Sequence, residues 1–150
     1  MIEIKILDKR IEEPEKATIG SAGFDLKAAI DEPVILLAGE CKLIPTGLAI
    51  YIKDPSIVAT IMPRSKRGAK TGLVVGNMVG VIDSDYQGQW YIAAWNRNFT
   101  HPVTIQPLEE IAQALFIKLA EVTFTKVEEF TDETIRSDGG ISKDVDSKST

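Results

Sequence analysis

Hydrophobic and polar positions in this chain alternate; they do not recur at helical spacing. Ile2, Ile4 and Ile6 alternate with Glu3 and Lys5, the period of a half-buried strand. Short apolar runs follow at 34–37, 43–44, 48–52, 57–62, 73–75, 79–82, 90–95, 111–119 and 122–127. Turn signals separate them, among them Ala38-Gly39-Glu40, Pro45-Thr46-Gly47, Lys53-Asp54-Pro55, Gln87-Gly88 and Gln106-Pro107. Many short strands at this spacing predict an all-β jelly roll, sandwich or barrel. One short turn of helix is expected after Pro63, and no internal repeat is visible. The run at 79–82, the turn after it and the return at 90–96 read as a hairpin. Beyond Phe130 the only bulky apolar residues are Ile135, Ile141 and Val145, too few for independent folding. The pattern therefore divides the chain into a β domain at 1–130 and a flexible C-terminal arm at 131–150. That arm either frays or orders over a ligand or a neighbouring subunit.

A length of 150 residues allows one domain with a proper core. Apolar (44%) and charged (26%) contents are ordinary globular values, so they leave the fold reading unchanged. The net charge of −5 argues against a general nucleic-acid binder. It leaves room for an anionic small molecule held by a local group of cations. Cys41 is the single cysteine, so no intrachain disulfide can form, which fits a reducing compartment. It reads as a small buried or half-buried residue, and His101 as part of a surface turn. One Cys and one His argue against a transition-metal site of soft ligands. The N-terminal MIEIKILDKR does not read as a signal peptide, and no run approaches the ~18 apolar residues of a membrane span. A soluble, cytoplasmic chain without membrane or nucleic-acid partners is expected.

Four stretches could carry chemistry. Ser21-Ala22-Gly23-Phe24-Asp25-Leu26 places a carboxylate two residues after a glycine that permits close approach. Pro63-Arg64-Ser65-Lys66-Arg67-Gly68-Ala69-Lys70 gathers four cations around a hydroxyl and a glycine, which suits a phosphate. In Gly76–Asn96, the island Asp83-Ser84-Asp85 ends an apolar run, and Tyr86 follows. A carboxylate there could take a proton from water, and a tyrosine could pack on a sugar or base. Glu110-Ile111-Ala112-Gln113 opens a strand with a side-chain amide that can donate to an anion. Each has a bland alternative: a common turn, a solvated basic loop, a polar hairpin tip, an ordinary strand residue.

Together and in this order, the stretches resemble the homotrimeric dUTPases of bacteria and their phages. The likeness runs from about Met1 to Phe130, and GNMVGVIDSDYQGQ is its most specific piece, with AGFDL, PRS and IAQ in support. The resemblance implies a jelly-roll subunit, three of which share three active sites. It implies Mg²⁺-dependent hydrolysis of dUTP to dUMP and pyrophosphate. Asp83 would orient and deprotonate the water that attacks the α-phosphorus. Asn77 and the backbone through Val81 and Ile82 would read uracil, and Tyr86 would lie against the deoxyribose. Arg64, Ser65, Lys66 and Gln113 would hold phosphates, and Asp25 would hold Mg²⁺ through water. Gly76 and Gly80 would shape the base-reading segment. Arg136 and Ile141 would close the arm over the site.

The departures from the family pattern cluster. Lys66 and Arg67 stand where a small residue and a leucine are usual, Leu108 where glycine is common, and Glu110 where a basic residue is usual. Ile141 and Ser142 replace the arm's Phe and Gly; isoleucine covers a base but does not stack as a ring does. These positions handle phosphate and closure, so deoxyuridine recognition is expected to survive while turnover falls. A second reading is a catalytically weakened, nucleotide-binding regulatory protein with a protein partner. A third is dCTP deaminase, which shares the fold but needs a catalytic Glu where Ala93 stands.

Overall fold

The computed structural model describes residues 1–135. Ten strands and one helix follow in the order β1 (Glu3–Ile6), β2 (Phe24–Lys27), β3 (Val34–Leu36), β4 (Cys41–Tyr51), β5 (Ile57–Pro63), α1 (Ser65–Thr71), β6 (Leu73–Val75), β7 (Gly80–Ile82), β8 (Gln89–Asn96), β9 (Val103–Ile105) and β10 (Glu110–Lys118). They form two four-stranded sheets, β1-β4-β8-β6 and β2-β10-β5-β7, and a two-stranded ribbon, β3-β9, with every pairing antiparallel. The all-β, jelly-roll-like class expected from the sequence is the class observed. No helix among the described residues is long and apolar enough to cross a membrane.

Alternation explains why these segments are strands. In β8 the side chains of Trp90, Ile92, Ala94 and Asn96 point inward and are buried, while Tyr91 points out. Leu26, Leu36, Ile44, Leu48, Ile61 and Ile92 close the core between the layers, with Trp90 fully buried among them. Phe116 meets Trp90 and Phe24 with ring centroids 6.3 and 5.8 Å apart, so β10 is bound to both sheets through one aromatic cluster.

Four readings need correction. Pro45-Thr46-Gly47 is not a turn between strands but an irregularity inside the eleven-residue β4, where the register with β8 shifts between Pro45 and Ala49. Gly47 adopts φ 70°, and a Cβ there would lie 2.9 Å from Asp8 and Ile11, so the bulge seats the 8–11 segment. The run at 122–127 forms no strand: Val122, Phe124 and Val127 are exposed in the single chain. β7 and β8 are not hairpin partners. β7 pairs with β5 and β8 with β4 and β6, so the 83–88 turn carries the chain from one sheet to the other. Cys41 is exposed, because β4 begins beyond the edge of the core. β2 and β9, three or four residues each, were not anticipated from the pattern. The helical turn after Pro63 is present as α1, and His101 lies exposed with Thr100 Oγ1 2.7 Å from its Nδ1.

Asn96 is the buried polar centre of the fold. Its Nδ2 donates to the carbonyls of Leu36, Leu37 and His101 at 3.0, 3.1 and 2.8 Å. Its Oδ1 accepts from the Asn98 amide N–H and side chain at 3.0 and 2.9 Å. One side chain thus ties the end of β8 to β3 and to the following turn. Asn96→Ala should lower the unfolding free energy by about 2–4 kcal/mol, because the buried Leu36 carbonyl and the part-buried contacts to Leu37 and His101 lose their donor. Urea unfolding should show the loss as a lower midpoint at unchanged slope.

Candidate active site

The phosphate-type residues are brought together by β10. This strand lies between β2 and β5, with Gln113 opposite Asp25 on one side and Met62 on the other. β5 ends at Pro63 and α1 begins at Ser65, so Arg64 turns the corner beside them. Arg64 has extended φ and ψ of −76° and 134°, and α1 ends at Gly72 with φ 73°. Gln113 Nε2 donates to the Pro63 carbonyl at 3.0 Å, which fixes its amide. A Cβ on Gly23 would stand 2.7 Å from Gln113 Oε1, so the glycine is needed for β2 and β10 to approach.

These elements enclose an open cleft of about 1020 Å³. Five cations reach it: Lys27, Arg64, Lys66, Arg67 and Lys70. Three carboxylates oppose them: Asp25, Glu109 and Glu110. The cleft therefore has a cationic surplus in a chain of net charge −5.

Arg64 is the most engaged of these side chains. Its Nε and NH2 meet the two Asp25 oxygens at 2.8 and 2.9 Å, and its NH1 meets Glu110 Oε2 at 2.7 Å. Arg67 NH2 meets Glu109 Oε1 at 2.7 Å and donates to the Thr104 carbonyl at 3.3 Å. Burial pushes the Asp25 carboxyl above its ordinary value; the Arg64 charge pulls it back, and the Glu110 carboxylate pushes it up again. No group of three or more His, Cys, Asp and Glu suited to a metal occurs among the described residues. A partly exposed Asp25 with few carboxylates near it suits Mg²⁺, which keeps its waters and takes phosphate oxygens. It does not suit zinc.

The second group of expected residues lies on the segment from Gly76 to Gly88. Gly76 N donates to the Ala93 carbonyl at 2.7 Å, and a Cβ on Gly76 would stand 2.7 Å from Cys41 Sγ. Met78 takes φ 64°, and Val79 N donates back to the Asn77 carbonyl at 2.7 Å, so the turn is tight. A Cβ on Gly80 would be 3.1 Å from Ile61, which explains the close seat of β7 on β5. Val81 is exposed and Ile82 half-buried. Asp83 is exposed, its carbonyl accepting from Tyr86 N at 3.2 Å. The Tyr86 hydroxyl donates to the Gln89 carbonyl at 3.1 Å, and its ring lies over Gly88, where a Cβ would be 2.6 Å from Cζ.

One chain therefore presents two separate groups. Asp25, Arg64, Ser65, Lys66 and Gln113 line the cleft; Asn77, Asp83 and Tyr86 do not. Arg136 and Ile141 lie outside the described residues. Sequence reasoning missed Lys27 and Glu109 on the cleft. Lys70, part of the cationic stretch 63–70, follows Lys66 by four residues on α1 and reaches the cleft beside it. Glu109 could not be foreseen, because its aim depends on a turn at Leu108, which takes φ 60°.

Fold and site together define an all-β protein with a cationic cleft on one side and a carboxylate-bearing turn that does not line it. The chain belongs to the dUTPase family, whose profile matches residues 9–144. A deoxyuridine 5'-triphosphate nucleotidohydrolase of Tolumonas auensis is 54% identical over 144 residues, covering 93% of this chain and 94% of that one. One from Shigella flexneri serotype 5b is 51% identical over 144 residues, covering 93% and 94%. Among solved structures, the Staphylococcus bacteriophage 80alpha dUTPase with dUPNHPP is similar at TM-score 0.82 and 26% identity, covering 95% of this chain and 96% of that one. That work describes phage dUTPases as controlling transfer of virulence genes. A mutant dUTPase of phage phi11 of S. aureus shares the fold at TM-score 0.78 and 23% identity, covering 88% and 99%; its structure concerns the coordination of a structural Mg(II) ion.

Two outcomes follow from this geometry. A carboxyl whose pKa folding raises favours the folded state while protonated. Its contribution is present below the unfolded pKa and is lost as pH rises through the elevated value. Wild type should therefore gain stability relative to Asp25→Asn as pH falls through that acid window, as measured by urea unfolding at a series of pH values. Gly88→Ala should displace Tyr86 and break its bond to Gln89, costing about 1 kcal/mol. A crystal structure of the variant would show the moved ring.

Proposed function

We propose that the chain is a dUTP diphosphatase that hydrolyses dUTP to dUMP and pyrophosphate. The observation that carries this reading is the convergence of Asp25, Arg64 and Gln113 by strand register. It occurs in a chain 54% identical to a deoxyuridine triphosphate nucleotidohydrolase. Triphosphate hydrolysis depends mainly on positioning and charge stabilisation, which a cationic cleft supplies.

Arg64, Ser65, Lys66 and Gln113 hold the phosphate chain. Asp25 holds hydrated Mg²⁺, which when bound offsets the charge of the phosphate oxygens. Asp83, at the end of β7, accepts a proton from the attacking water. Asn77 and the backbone of Val81 and Ile82 read the uracil edge, in a loop shaped by Gly76 and Gly80. Tyr86 packs on the deoxyribose, its hydroxyl anchored on Gln89 so that the ring is held in place.

Asp83 and the phosphate cleft do not meet within one chain, which supports sites shared between copies of a homotrimer. Ala93, half-buried in β8, has no group to move a proton, so a dCTP deaminase reading has nothing to act with. A weakened regulatory form with a protein partner would keep the binding loop without the turnover.

Pyrophosphate release from dUTP with Mg²⁺, set beside dTTP, dCTP and UTP, tests the reading. Release should be confined to dUTP. Asp83→Asn should lower it by about 10²–10⁴-fold while dUMP binding persists. Nucleotide binding without release would favour the regulatory form, and ammonia from dCTP would favour the deaminase.

A further inference from the structure

We propose that Glu110 is an internal competitor of phosphate for Arg64, a specificity-determining side chain that weakens the hold of the cleft on polyphosphate. The inference rests on the reading that Arg64 binds substrate phosphate.

A guanidinium carries five N–H donors and binds phosphate best with two of them along one edge. On Arg64 the Nε and NH2 edge is taken by both oxygens of Asp25 at 2.8 and 2.9 Å. NH1 is taken by Glu110 at 2.7 Å. A phosphate approaching Arg64 thus meets one cation already matched by two carboxylates. The two acids are not equal. Asp25 meets Arg64 with both oxygens and is 26% exposed at its side chain; Glu110 meets it with Oε2 and is 39% exposed. Glu110 is the partner that yields.

The backbone gives Glu110 this aim. It pairs with Lys27, and the register then shifts before Ala112 pairs with Leu26. Such a bulge redirects the side chains beside it. The preceding turn is held by Leu108 N on the Ala28 carbonyl and Ala28 N on the Glu109 carbonyl, both at 2.8 Å. Glu109 is occupied with Arg67 at 2.7 Å, so it does not substitute for its neighbour.

Lys27, Lys66 and Lys70 form no ion pair among those found for the described residues. They are the free cations that first meet an arriving anion. Arg64 then exchanges Glu110 for a phosphate oxygen. The exchange reverses as product leaves, with the carboxylate taking back the guanidinium. Affinity for polyphosphate, substrate and product alike, is lowered; affinity for an uncharged nucleoside is not.

Calorimetric titration of the full chain with Mg²⁺ tests this, using dUpNHpp, inorganic pyrophosphate and deoxyuridine against wild type, Glu110→Gln and Glu110→Ala. Both variants should bind dUpNHpp and pyrophosphate about 2- to 5-fold more tightly, as expected for a partly exposed ion pair. Deoxyuridine binding and thermal midpoint should be unchanged, and the gain should shrink at high ionic strength. Unchanged or weaker binding of the phosphate ligands by both variants would overturn the proposal, since Glu110 would then support Arg64. Wild type that bound neither dUpNHpp nor deoxyuridine would sink the dUTPase reading itself. Wild-type binding without a gain in the variants would sink the role of Glu110 alone.

Discussion

The position of β10 between β2 and β5 is the constraint on which the candidate site depends. Its ladders set Gln113 opposite both Asp25 and Met62, so residues 25, 64 and 113 meet without a long loop. Hydrogen-bonded strands make that placement stiff, because slipping by one residue would turn every side chain to the opposite face. Such a slip would expose Ile111, Ala112 and Ala114, all buried or nearly so. The packing of the core thus holds the geometry of the cleft.

The same architecture explains why the cleft is an electrostatic compromise. Arginines at 64 and 67 face consecutive carboxylates at 110 and 109, each pair closing to 2.7 Å. Partly exposed pairs of this kind contribute little to stability. Their consequence is for charge: they mute two of the five cations on the cleft and leave the lysines to attract anions. Arg67 and Glu110 look contradictory one at a time, yet each has a partner across the cleft.

The turn from Gly76 to Gly88 has a different basis. It spans the two sheets, since β7 belongs to one and β8 to the other. Its shape comes from close contacts at Gly76, Gly80 and Gly88, where side-chain atoms of Cys41, Ile61 and Tyr86 occupy the space of a Cβ. Exposed polar groups can be held there because the turn is fastened at both ends, by Gly76 N on Ala93 and Lys53 N on Ser84. The apolar positions of 119–135 lie exposed in the single chain.

The sequence by itself determined the all-β class, most of the strands and the four chemical stretches. Period-two alternation and Gly/Pro punctuation are local properties, legible without a fold. The cationic side of the cleft was legible around Pro63-Arg64-Ser65 because cations cluster there within eight residues. Only the tertiary structure decided the rest. Whether Pro45-Thr46-Gly47 turns or bulges depends on what lies across from it, and here Asp8, Ile11 and Ala29 do. Whether the runs at 79–82 and 90–96 pair together depends on which edges β4, β5 and β6 offer them. Whether Glu110 repels an anion from Arg64 or merely faces water depends on a bulge and a left-handed Leu108. Each of these is set by contacts between residues far apart in the chain, about which alternation and spacing carry no information.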